Sequence, residues 1–258
     1  MLSLEAITEA SRAAALLRTP KTPLLSLGNP KIQKSVPFGY LTAVLHLAPH
    51  KMGGRNLCPN ASPGCIALCL NTAGRGGLID PKAGTNTIQT ARVAKSVWLR
   101  EGRSAFLAKL HQELDAFTRK CSKLGILPAV RLNGTSDLPW EAVDRSLFDR
   151  HPTIQFYDYT KSTQWAMASL SKGWPTNYHL TLSRSETNGL ACLAHLAQGG
   201  TVAAIVADGA DPLPYPTIDG DAHDLRFLDP PSHIVTLSPK GRAKHDQTRM
   251  VLRQGGAW

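Results

Sequence analysis

No apolar run in this 258-residue chain approaches the roughly 20 residues needed to cross a bilayer. The first residues carry Glu5 and Glu9 in a short amphipathic stretch instead of a secretory apolar core, so a cytosolic protein is expected, in contact with no membrane. Cysteine is scarce and odd in number, five in all, which excludes a fully paired disulfide framework of the kind small exported domains use. Blocks of consecutive Lys or Arg are missing too. The excess of 29 basic over 19 acidic residues, a formal +10, is spread from Arg12 to Arg253 and does not by itself choose between solubility, anionic cofactors and nucleic acid. There is no internal repeat.

What the chain does contain is an alternation of strand and helix patterns. Residues 3–17 read as a helix and 19–34 as an extended arm, setting 1–35 apart from one α/β domain over 36–258. Strands are expected at 41–47, 129–132, 154–157, 178–182, 201–206 and 234–237. Between them come helical patterns over 86–124, broken near Gly102, and at 139–148, 162–170 and 186–196. Phe106, Leu110, Leu114, Phe117, Cys121 and Leu124 recur at spacings of three and four, which assigns Cys121 to the core; Cys192 falls in an apolar helix and is read the same way. Six strands alternating with helices imply a parallel sheet, either open or wound into a partial (βα)6 barrel, with the long segment 49–84 after the first strand.

Parallel sheets place chemistry at the carboxyl ends of their strands. Those positions are polar here: Arg131, Asn133, Ser136 and Asp137 after the second strand, Asp158 and Lys161 around the third, Ser183 to Glu186 after the fourth, Ser238 and Lys240 after the sixth. Ser136, Asp137 and Ser185 suit helix caps and turns. Arg131 and Lys161 exceed what a turn requires, which makes the rim a candidate substrate site, with Arg131, Asn133, Ser183 and Lys240 as binding groups.

Three cysteines lie within twelve residues, in Cys58-Pro-Asn-Ala-Ser-Pro-Gly-Cys65-Ile-Ala-Leu-Cys69. With a helix starting near Cys65, a four-residue step would set Cys65 and Cys69 on one helical face, and Cys58 would fold back over them. Thiolates suit zinc or the irons of an iron-sulfur cluster, and three ligands leave one position open. The residues alone leave both metals in play, because His46 and His50 lie close upstream and His50 would complete a Cys3His zinc site. A second constellation, Asp219-Gly-Asp221-Ala-His223-Asp224-Leu-Arg226, crowds carboxylates beside a base but lacks the later Glu of a calcium loop. Asp137, Asp158, Lys161, Asp221 and Asp224 are the candidate acid–base groups. Lys240-Gly241, after the last strand, would aim its ammonium at the rim.

The run from Cys58 to Arg75 resembles the phage gene-product-88 family of phage and prophage proteins. So do Arg131-Leu-Asn133 with Ser136-Asp137 and Trp140, Phe156-Tyr-Asp158-Tyr-Thr-Lys161, Leu180-Thr-Leu-Ser183, Asp219 through Asp229, and Lys240-Gly241. In architecture the chain is similar to the radical S-adenosylmethionine enzymes, whose partial barrel of six strand and helix units carries three cysteines after its first strand. Those enzymes set their cysteines closer together and follow the second strand with a Gly-Gly-Glu run that this chain lacks. The likeness implies a [4Fe-4S] cluster on Cys58, Cys65 and Cys69, an enzyme of the host-cell cytoplasm, and S-adenosylmethionine on the open iron. The competing expectation is a zinc-stabilised protein that binds or modifies nucleic acid, its phosphate track formed by Arg92, Lys95, Arg100 and Arg103.

Overall fold

The computed structural model describes residues 23–27, 34–78, 86–256 and 258. The helix expected at 3–17 lies outside them. Nine strands form one sheet: β1 (Leu25–Ser26), β2 (Tyr40–Leu45), β3 (Leu127–Arg131), β4 (Gln155–Thr160), β5 (Tyr178–Ser183), β6 (Val202–Val206), β7 (Thr217–Asp219), β8 (Ile234–Leu237) and β9 (Val251–Leu252). The spatial order is β1-β2-β3-β4-β5-β6-β8-β7, with β9 also on β6. All pairs are parallel except β1 with β2, where the described part of the arm lies antiparallel along the sheet edge.

The six long strands are the six that the sequence pattern marks. They follow chain order without the reversal that defines a doubly wound sheet. Among the described residues the end strands β1 and β7 do not pair, so the sheet is open and a barrel is not closed. The three short strands had no usable pattern, being two or three residues long.

Helices come between the strands: α1 (Pro63–Ala67), α2 (Thr87–Glu101), α3 (Arg103–Leu124), α4 (Trp140–Val143), α5 (Ser146–Arg150), α6 (Thr163–Ala168) and α7 (Gly189–Ala197). None is long and apolar enough to cross a membrane, among the described residues. The expected break at Gly102 separates α2 from α3, and Gly125 at φ 63° ends α3 in the left-handed conformation glycine tolerates. The single helix expected over 139–148 is two. Asp144 leaves helical geometry at φ −155°, and its carboxylate instead accepts from Ser146 N (3.1 Å) and Ser146 Oγ (2.6 Å) while facing His111 Nε2 (3.1 Å). α7 begins three residues later than expected because Asn188 Oδ1 ties back to Ser185 N, forming a turn ahead of it.

Side-chain alternation sorts the strands into two faces. Ala43, Leu45, Val130, Phe156, Tyr178 and Leu180 join Phe106, Leu110, Leu114 and Cys121 of α3, and Leu182, Val202 and Ala204 join Ala166, Cys192 and Leu196 of α6 and α7. The helices thus cover one face, and both isolated cysteines are core, as their apolar settings require. On the other face Ala129 and Tyr157 pack against Leu225, with Tyr40 and Phe227 around them. That face is plugged by the irregular segment 223–229.

Candidate metal centre

The cysteine segment folds from its own residues outward. Ser62 sits at φ −72°, ψ 164° and accepts from Cys65 N (3.2 Å), while Pro63 starts α1 with the φ a helix needs. α1 ends at Ala67, and Cys69 adopts φ −51°, ψ 128°, so the expected single helical face carrying Cys65 and Cys69 does not form. α1 continues only two residues beyond Cys65, and the chain then turns through a 3-10 segment at Leu70–Thr72.

The three thiols are nevertheless neighbours, each half-buried. Burial pushes the Cys58 thiol up to about 12, and the closeness of Asp137, Cys65 and Cys69 adds to the rise. Burial also raises Cys65 and Cys69; Lys161 opposes the rise at Cys65, and Arg92 and Arg242 oppose it at Cys69. Backbone amides point at the sulfurs. His50 N donates to Cys58 Sγ at 3.3 Å, from a residue held at φ 48°, and Asn71 N serves Cys69. The amide hydrogens, Lys161 and the two arginines offset only part of what burial costs the charged sulfurs, and they act in the direction a thiolate-bound cluster would need.

Among the described residues, no three His, Cys, Asp or Glu side chains converge as ligands of a single ion. A multi-iron cluster gives each thiolate its own iron and does not require convergence on one point. His50 contributes its backbone N–H to Cys58. The other upstream histidine, His46, is brought down to about 3 by burial and by Arg92, Arg131 and Lys95, cations that would oppose a divalent ion there.

Glu186 locks the cysteine segment to the end of β5. Its Oε1 accepts from Gly64 N (2.7 Å) and its Oε2 from Ser62 Oγ (2.8 Å). Burial opposes its charge, but these donors and Lys161 hold it below the usual carboxylate range. A Cβ on Gly64 would lie 2.6 Å from Thr248 Oγ1 and 2.7 Å from Glu186 Oε2, so only glycine fits. Lys161 lies alongside: its Nζ donates to Ser183 Oγ (2.7 Å) and Arg184 O (2.6 Å), and its N–H to Asp137 Oδ2 (2.9 Å). Asp137 N in turn donates to Leu57 O, next to Cys58. Cys58, Cys65, Cys69, Asp137, Lys161, Ser183 and Glu186 therefore make one site at the carboxyl ends of β2 to β5.

The segments that build this site run from the cysteine loop to Glu186, and a family model spans them all: gene product 88, over residues 15–254. The chain belongs to the phage gene product 88 family. No curated protein and no solved structure matches it.

In this gene product 88 protein the other rim candidates separate into four groups. Arg131 turns to the plugged face, where NH1 donates to Asp224 Oδ2 (2.7 Å), Tyr159 OH donates to Asp224 Oδ1 (3.0 Å), and the guanidinium lies 4.9 Å from the Tyr159 ring centroid. Asp224 is thus an ion-pair partner beneath the rim. Asn133 spends its side chain on its own loop, accepting from Ser136 Oγ, Leu138 N and Trp140 Nε1 and donating to Leu138 O. Asp158 lies under the helices, accepting from Asn133 N (2.8 Å) and Tyr178 OH (3.1 Å). Asp221 and Lys240 pair at the surface, and although burial opposes it, Lys240 and Ser238 hold Asp221 at about 2.

Burial raises Asp158 to about 7, against Arg131, Asn133 and Tyr178, which favour its charge. The sign of the pH effect follows. Between pH ~4 and ~7 the folded chain keeps a proton that the unfolded chain has released, so this group makes stability fall as pH rises through that window, by on the order of 4 kcal/mol in full. Asp158→Asn should flatten the difference between urea midpoints measured at pH 5 and pH 8 relative to the parent protein. An unchanged difference would place the proton elsewhere.

Each basic side chain of the expected phosphate track makes an internal hydrogen bond. Arg92 NH1 donates to Asn71 Oδ1 (2.6 Å), Lys95 Nζ to Leu24 O (2.8 Å), Arg100 NH1 to Gly53 O (3.0 Å) and Arg103 NH2 to Val143 O. These four stitch α2 and α3 to neighbouring loops. Sequence reasoning noted Glu186 only as a rim residue. Its role as a brace for a loop 122 positions away leaves no local signal.

Proposed function

We propose that this protein is an iron-sulfur enzyme whose [4Fe-4S] cluster is held by Cys58, Cys65 and Cys69 at the carboxyl rim of a partial-barrel sheet. The observation that carries the reading is the setting of the three thiols: adjacent, half-buried, served by two backbone amides and flanked by Lys161, Arg92 and Arg242, yet not converged on one point. When bound, such a cluster supplies an iron with one open position, for S-adenosylmethionine in radical chemistry or for a substrate oxygen in Lewis-acid chemistry. The chain's own groups do the rest. Glu186 and Ser62 orient the loop, Lys161 and Ser183 present an ammonium and a hydroxyl beside it, and Asp137, raised by burial, is a neighbouring group able to hold or release a proton.

Protein purified without oxygen should be brown and carry about four irons per chain. Colourless protein with stoichiometric zinc would overturn the reading in favour of a zinc-stabilised protein. Formation of 5′-deoxyadenosine from S-adenosylmethionine under reducing conditions separates radical from Lewis-acid chemistry.

A further inference from the structure

Beside the cysteine loop, where Glu186 also faces outward, a cleft of about 550 Å³ opens past the ends of β5 and β9. Its walls include Arg184, Glu186, Asp246, Arg249, Arg253 and Trp258. That volume lies in the range of sites for small organic ligands and cofactors. Three guanidiniums face it against two carboxylates, and both carboxylates are turned to internal donors. Glu186 holds Ser62 and Gly64, while Asp246 accepts from Thr248 N (2.7 Å), Thr248 Oγ1 (2.6 Å) and Val251 N (2.8 Å).

The arginines differ in their engagement. Arg184, buried at the base, is fixed by donating to Met250 O (3.1 Å). Arg249 and Arg253 are exposed; Arg253 NH2 donates to Lys244 O (3.1 Å), and among the described residues no acid pairs with either. Arg249 also sits at φ 67°, a left-handed conformation that is uncommon for a residue of this size and that persists where surrounding structure enforces it. Here Met250 is buried next to it and Asp246 grips Val251, so the turn is held from the inside. Trp258 contributes an aromatic wall: it is anchored through Nε1 to Gly189 O (3.1 Å), with Arg184 5.7 Å from its ring centroid.

We infer that this cleft binds a nucleoside phosphate, with its phosphates on Arg249 and Arg253 and its base against Trp258. Guanidiniums free of acid partners match the bidentate geometry of phosphate oxygens, and a fixed indole supplies the apolar surface a base requires. The inference deepens the reading above, since Glu186 joins the cleft to the cysteine loop and would place such a ligand next to the metal. Its test does not depend on the metal.

Titration calorimetry with ATP, and separately with inorganic pyrophosphate, on protein of known iron content should show saturable binding of both that weakens as salt is raised. Arg253→Gln and Arg249→Gln should each weaken both ligands by about tenfold or more, the worth of one charge-assisted hydrogen bond. Trp258→Ala should weaken ATP and spare pyrophosphate. Iron content should be the same in all three variants. Failure of both ligands to bind iron-loaded protein would overturn the inference and leave the cluster standing, whereas binding to protein that never holds iron would support the cleft and remove the cluster. Binding of a single-stranded oligonucleotide without either small ligand would also overturn it.

Discussion

Replacing Cys65 by Ala is expected to take bound iron from about four atoms per chain to near zero and to remove the visible absorbance. The reason lies in how Cys65 is placed. It is the only one of the three proposed ligands within an α-helix, its amide is fixed by Ser62, and the residue before it is clamped between Glu186 and Thr248. The loop has no other thiol to move into its place: Cys121 and Cys192 are sealed under α3 and α7. Since Cys65 is half-buried and lies outside the hydrophobic core clusters of the described residues, metal-free protein should keep its far-ultraviolet circular dichroism and lose little stability. Cys192→Ala makes the converse control, expected to lower the melting temperature through a core cavity while leaving iron in place. Full iron in Cys65→Ala would show that the proposed ligand set is wrong.

The second large effect is expected on stability. Asp224→Ala should cost about 3–5 kcal/mol, because it strands the Arg131 guanidinium inside the plugged face. Tyr159 would lose its acceptor as well. The double change Arg131→Met with Asp224→Leu should recover most of that loss, since well-packed apolar groups often replace a buried ion pair at little cost. Denaturant midpoints of the single and double variants measure the coupling directly. If Asp224→Ala folds with unchanged stability while the activity disappears, the acid–base role read from the sequence for Asp224 is correct and the structural role is not.

The contrast between these two sites marks where sequence reading succeeds. Strand positions were legible because buried parallel strands are continuous apolar runs: β2, β3 and β6 carry them plainly, and the glycines at 102, 125 and 199 punctuate the helices. The grouping of the three thiols was legible because they fall within twelve residues of one loop. Side-chain direction was not. Arg131 and Asn133 are two residues apart at the end of one strand, and both read as rim groups. Arg131 goes through the sheet to Asp224, 93 positions later, while Asn133 closes its own loop on Trp140.

Sequence alone determined an α/β chain with six main strands, a thiol-bearing loop after the first of them and membership in a phage family, because periodicity, residue type and motif order are local properties. The tertiary structure decided the rest: that α2's basic residues serve as stitching, that Glu186 braces the cysteine loop, and that Asp224 neutralises Arg131. Each of these depends on which of several possible partners lies within hydrogen-bond reach. A charge buried by folding must take the partner the packing brings to it, and that choice is made by contacts spanning tens of residues, which no local pattern encodes.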